Sequence, residues 1–221
     1  MDESVRMVVL AKSWKTGGYC VAGKRLDADR GWVRPVRTPS GGSLSNSHCL
    51  LDRGGVADVL SVVDVPLGAR VSDGVQRENR LLGKGRWHYV AAWDRVRLGE
   101  LVDEVEDVWL DPKLGACDRV RPAFAGAIDH SLLFLRVSEL RLSASHEPHR
   151  VQPKLRAGFV YRGVAYQGLS VTSPRCCQRW RAESAWGAAN EWAMGDAYVC
   201  LSLGQPFNGY HYKFVAEVYP A

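Results

Sequence analysis

Cations alternate with aromatic rings near the start of the chain, where Lys12, Trp14, Lys15, Tyr19, Trp32 and Arg34 fall within one short stretch. A second set, Arg86, Trp87, His88 and Tyr89, follows, and a third, Arg175, Arg179, Trp180 and Arg181, lies toward the C-terminus. This is the chemistry of a single-stranded nucleic-acid surface: guanidinium and ammonium groups neutralise phosphates, and ring faces accept stacked bases. Stacking contributes on the order of 1–3 kcal/mol per base, so two or three exposed rings outweigh a small net charge. Tryptophans of small β-barrels also serve as core plugs, so the reading turns on which way the rings point. Lys12 and Trp14 share parity on one strand, as do Trp32 and Arg34, and each ring sits with its cation on one exposed face only if both strands stay regular.

Catalytic chemistry has thinner support. Cys176 is the strongest nucleophile candidate because Arg175 and Arg179 would lower the pKa of its thiol, and His211, between Tyr210 and Tyr212, is a candidate base or stacking surface. Cys20, inside an apolar strand, reads as buried and inert. His146 and His149 flank Glu147, and Cys176 and Cys177 are adjacent, but neither spacing is that of a chelating set, so no metal is expected. No phosphate loop and no dinucleotide-binding glycine pattern is present, and no cofactor is expected.

The charge balance sets a mild bias. The 221 residues carry 29 basic and 24 acidic side chains, a formal net charge of +5, and 46% of them are hydrophobic. That suffices for an ordinary core, and it favours a polyanion partner only where the positive charge clusters. No stretch approaches the roughly 20 apolar residues of a spanning helix, acidic Asp2 and Glu3 stand where a signal peptide carries positive charge, and the six cysteines show no paired CxxC spacing. The expectation is a cytoplasmic protein with no membrane association and no disulfides.

The elements that must position these groups are mostly short strands. Val5–Ala11, Tyr19–Ala22 and Trp32–Val36 read as the first three, and the stretch from Thr38 to Ser47 as a long mobile loop. Val56–Pro66 reads as a further strand that Pro66 should end or confine to an edge. Part of Trp93–Val108 carries apolar residues at helical spacing, and Gln178–Asn190 is a second helical candidate. Ser131–Val137 and Leu140–Leu142 read as strands, Lys154–Tyr161 and Val164–Val171 as a hairpin turning at Arg162-Gly163, and Tyr198–Leu203 and Tyr212–Tyr219 as the closing pair. Leu110-Asp-Pro-Lys-Leu-Gly115 interrupts the pattern and suggests domains of residues 1–112 and 113–221. The fold class is mainly β with two or three short helices, built as small barrels.

Several landmarks occur in order along nearly the whole chain: Lys15-Thr-Gly-Gly-Tyr-Cys-Val-Ala-Gly23, Gly31-Trp-Val-Arg-Pro-Val36, Gln76-Arg-Glu-Asn79, Asp118-Arg-Val120, Leu169-Ser-Val-Thr172 before Pro174, Leu201-Ser-Leu-Gly-Gln-Pro-Phe207 and Tyr212-Lys-Phe-Val-Ala216. As a set they resemble the bacterial dual OB-domain proteins. The resemblance implies two OB-like barrels packed together and a nucleic-acid role in prokaryotic conflict or modification systems. Similar proteins tend to have Asp between the Thr and Pro of Ser-Val-Thr-x-Pro, where this chain has Ser173, so any chemistry resting on that acid would be missing here. The expectation is non-enzymatic binding of single-stranded RNA or DNA, or of a nucleotide. The alternatives are an enzyme acting on a nucleoside or small molecule between the barrels, with Cys176 and His211 among its polar groups, and an adaptor whose aromatic loops meet a protein partner.

Overall fold

The computed structural model describes residues 3–27, 30–71, 74–145, 153–182 and 190–221. The chain divides into two compact units, Met1–Leu101 with Asp129–Ser131, and Val102–Ile128 with Leu132–Ala221. The Leu110–Gly115 interruption is a turn inside the second unit, where the Asp111 carbonyl accepts the backbone N–H groups of Leu114 and Gly115.

The first unit contains β1 (Glu3–Lys15), β2 (Gly18–Arg25), β3 (Trp32–Val36), β4 (Ser61–Arg70), β5 (Asn79–Leu82) and β6 (His88–Ala92). Hydrogen bonding runs β1-β2-β3-β5-β4 and returns from β4 to β1, so five strands close into a barrel and β6 is added on β4. Only β3 and β5 run parallel. Alternation fills the interior: Val5, Met7 and Val9 of β1 meet Val21, Val33, Val63, Val65 and Leu67 from the other strands. Gly23 sits where a Cβ would run into the Val8 carbonyl oxygen, so the tight β1–β2 crossing needs glycine.

Two expectations for this unit change. Pro66 neither ends β4 nor confines it to an edge. Its carbonyl accepts the N–H of Gly83, so its missing N–H also faces that side, where β4 exchanges β6 for β5 as its partner and no ladder donor is required. The Thr38–Ser47 loop is anchored: Tyr19 and Leu44 exchange backbone hydrogen bonds at 2.7 and 2.8 Å, and Leu44 joins the core.

The second unit contains β7 (Arg119–Val120), α1 (Pro122–Ala125), β8 (Leu132–Ser145), β9 (Lys154–Tyr161), β10 (Val164–Val171), α2 (Pro174–Ala182), β11 (Asn190–Phe207) and β12 (Tyr210–Pro220). Its order β10-β9-β8-β11-β12 closes through a parallel β10–β12 pairing, with β7 added on β12. From β8 onward the five strands repeat the connectivity of β1 to β5, and α2 lies in the third-to-fourth connection. Both units are therefore OB-like barrels, and the chain is mainly β with short helices, as the strand-rich sequence pattern implies.

The helix expected within Trp93–Val108 is only a 3-10 segment, Arg95–Leu101. Beyond it, the backbone finds partners in the second barrel. Asp103 N–H donates to the Phe134 carbonyl at 2.8 Å, the Val105 carbonyl accepts from the Tyr161 hydroxyl at 2.8 Å, and Val108 N–H donates to the Tyr166 hydroxyl at 3.0 Å. Those bonds compete with helical ones and win, which is why spacing alone misleads there. The second helical candidate begins earlier than expected, at Pro174, and Asn190 already belongs to β11; residues 183–189 of that candidate lie outside the described residues.

Candidate nucleic-acid interface

A register shift between Val9 and Ala11 decides where the N-terminal cluster points. Val5, Met7 and Val9 face the core, and regular alternation would send Lys12 and Trp14 outward. The bulge inverts that parity. Lys12 then pairs with core-facing Val21, and Trp14 with Tyr19, which packs on the core. Lys12, Trp14 and Tyr19 thus share one face at the barrel mouth. The Lys12 ammonium lies 5.0 Å from the Tyr19 ring centre and donates to the Ala57 carbonyl at 3.3 Å. Trp14 is 45% exposed and Lys15 is exposed beside it.

Trp32 and Arg34 occupy the opposite face. Gly23 pairs with core-facing Val33, and Lys24 with Trp32, so Trp14 and Trp32 do not stack on one strand of nucleic acid from a common platform. Trp32 is half-buried with the Lys24 ammonium 5.6 Å from its ring. Arg34 is withdrawn from solvent and bound by Glu78 at 2.9 Å, Ser131 Oγ at 3.1 Å and Asn79 Oδ1 at 3.3 Å. The expected exposed Trp32–Arg34 pair is therefore replaced by a buried ion pair, because Glu78, distant in sequence, supplies the carboxylate. Arg86 is exposed and donates to the Leu51 carbonyl, whereas Trp87 is fully buried as a central plug of the first barrel.

The candidates near α2 form a different assembly. Ser173 caps the helix, accepting the Cys176 N–H at 3.1 Å, and donates its own hydrogen to buried Glu217 at 2.9 Å. Arg175 binds Glu217 at 3.2 Å and covers the Tyr219 ring at 5.5 Å. Cys176 donates its thiol to Glu217 at 3.2 Å. Burial, and then the Glu217 charge, push its pKa up to about 12, so Arg175 and Arg179 do not activate it as the sequence suggests. Arg179 is exposed, with its guanidinium 4.6 Å from the Trp180 ring. His211 is buried and joined through Nδ1 to the Gly204 carbonyl at 2.8 Å. No hydrogen bond among the described residues joins Cys176 to a histidine.

One concave surface lies where the aromatic pattern did not point. On the second barrel, the outward sides of β8, β9 and β10, with one residue of β11, line an open groove of about 600 Å³. A register row crosses the four strands: Glu191, Ser143, Arg156 and Ser170. Beside it Arg141 faces Gly158. Two bulges shape the groove, one in β8 between Ser138 and Arg141, the other in β10 between Tyr166 and Leu169. Gly158 leaves its floor bare, and a Cβ there would crowd the Tyr166 carbonyl oxygen at 3.3 Å. The Arg156 guanidinium is held by the Gly168 carbonyl and Ser170 Oγ, both at 2.7 Å, and faces Asp118 at 3.7 Å. Arg141 is exposed and loosely paired with Glu191 at 3.6 Å. The period-two alternation of Lys154–Tyr161 was the available signal, since it places Lys154, Arg156, Gly158 and Val160 on the outer side.

At the β11–β12 turn, Phe207 is 65% exposed, packs 6.4 Å from Tyr212, and is followed by Tyr210 under the Arg119 guanidinium at 5.1 Å. No group of three or more His, Cys, Asp or Glu side chains among the described residues is placed to hold a metal ion. His146 and His149 lie outside the described residues. No helix among the described residues is long and apolar enough to cross a membrane.

No curated protein matches the chain. The family model for the dual OB-containing domain matches residues 5–218, in agreement with two closed five-strand barrels of the same connectivity, and the chain belongs to the dual OB-containing domain family.

Proposed function

We propose that this protein binds single-stranded nucleic acid through the groove on the second barrel, without catalysing a reaction on it. The observation that carries the reading is the groove's position. β9 and β10 are the second and third strands of an OB-like barrel, and the outer face of those strands, with the neighbouring loops, is where this architecture takes oligonucleotides. Arg141 and Arg156 supply cations to a floor kept low by Gly158, and the exposed ring of Phe207 stands on the fourth-to-fifth strand connection. The mouth of the first barrel adds a separate element of like chemistry in Trp14, Lys15 and Tyr19. The setting of this reading is the bacterial cytoplasm, where thiols are kept reduced.

Fluorescence anisotropy with short labelled oligouridine and oligothymidine tests the proposal. Affinity should fall steeply between ~50 and ~200 mM salt, and Arg141→Ala should weaken binding and make the logarithmic salt slope shallower by about 0.7, the share of one phosphate contact on a single strand. Absence of binding to any oligonucleotide at low salt overturns the reading.

A further inference from the structure

The groove carries acids that a phosphate-tracking surface has no use for. Glu139 lines it from β8, is exposed, and makes no hydrogen bond or ion pair among the described residues. Its backbone is held at φ 52° within the β8 bulge, a left-handed conformation that a side chain as long as Glu adopts at a cost. Arg141, two residues on, lines the same groove, as does Gln167. A free carboxylate repels the backbone of a nucleic acid but accepts N–H groups from the edge of an unstacked base.

We infer that the groove selects guanine, with Glu139 as the specificity-determining residue. Among the common bases only guanine presents two donors on adjacent positions of its pairing edge, N1–H and the N2 amine, and a carboxylate offers two acceptors side by side. Adenine and cytosine place an acceptor next to their amine, and uracil flanks its single N–H with carbonyls; each would set a lone pair against the carboxylate. Arg141 remains the phosphate contact of the binding reading, so the choice of base rests with Glu139. This assignment rests on the binding reading above and names the base that the same groove takes.

The test uses the full chain and a short oligouridine carrying one central guanosine, compared with the same oligomer carrying inosine, adenosine or uridine there. Inosine keeps N1–H and O6 but lacks the N2 amine. The wild type should bind the guanosine oligomer about tenfold more tightly than the adenosine or uridine one, with inosine between them. Glu139→Gln, which replaces one acceptor with a donor, should remove that ranking, raise affinity for the all-uridine oligomer because a carboxylate that repels phosphate is gone, and leave the thermal unfolding midpoint unchanged. Equal affinity of the wild type for all four oligomers overturns the guanine assignment and leaves the binding reading standing, as does a Glu139→Gln protein that keeps the preference. Failure of every oligomer to bind at low salt overturns the binding reading and the base assignment with it.

Discussion

The Ser173 hydroxyl donates to the buried Glu217 carboxylate at 2.9 Å while accepting the Cys176 backbone N–H at 3.1 Å, so one small side chain both caps α2 and satisfies an acid. An aspartate at this position could cap a helix equally well. It has no hydrogen to give Glu217. Ser173→Ala should cost about 1–2 kcal/mol, the usual loss of a cap. Ser173→Asp should be the less stable of the two, since it sets a second carboxylate against the first. Urea unfolding midpoints of both variants check the order.

Arg34 and Glu78 form an ion pair whose side chains are only 1% and 7% exposed. Removing one partner strands the other charge, so Arg34→Ala should destabilise the protein by about 3–5 kcal/mol. Oligonucleotide affinity of the protein that remains folded should be unaltered. A stable Arg34→Ala protein with weakened binding would restore Arg34 to the interface.

Lys213 is buried on β12, its ammonium 5.3 Å from the Tyr166 ring centre and without a hydrogen-bond partner among the described residues. Burial lowers its pKa to about 8, against the partial support of nearby Cys117, Asp107, Asp111 and Asp118. Because the folded pKa lies below the unfolded one, the folded chain releases this proton first. The cost of burying the charge is then fully present below pH about 8, and stability from this group rises as pH climbs toward the unfolded value near 10.4. Lys213→Met should stabilise the protein at pH 7 by roughly 1–3 kcal/mol and remove that rise. Denaturant titrations at several pH values read both effects.

Trp14 and Trp87 should separate cleanly. Trp87→Ala opens a cavity in the first barrel and should cost about 3–5 kcal/mol. Trp14→Ala, at the exposed mouth, should change stability by no more than about 0.5 kcal/mol. On the proposed function it should also reduce oligonucleotide affinity. Tryptophan fluorescence during urea unfolding and anisotropy on folded protein measure the two quantities independently.

Cys20 is partly exposed, not buried as its apolar strand suggests, and so is Cys117, while Cys49, Cys176, Cys177 and Cys200 are buried. Burial also raises the Cys49 pKa to about 11. An aromatic disulfide reagent near pH 8 should therefore react promptly with two thiols in the native protein and with all six after denaturation. Cys176→Ala should leave oligonucleotide binding intact, and rapid labelling of Cys176 in the folded state would contradict its placement.

Strand content and the local hairpins were legible in the sequence because both depend on short-range patterns. Lys154–Tyr161 alternates with period two, Arg162-Gly163 supplies the turn, and the ordered glycine, proline and aromatic landmarks carry the family. What the tertiary structure alone decided depends on residues far apart in the chain. One bulge after Val9 turned Lys12 and Trp14 to the core side and left Trp32 on the other face, although parity by itself put each ring beside a cation. Glu78 converted Arg34 from a surface cation into half of a buried pair, and Glu217 made Cys176 a weak acid despite two neighbouring arginines. The Tyr161 and Tyr166 hydroxyls drew the 105–108 backbone out of a helical pattern. Sequence by itself determined which chemistries were present and that they would sit on strands. Which cations stay in water, and which face lies open, follow from pairings across barrel closures, where a single inserted residue reverses the direction of every side chain beyond it.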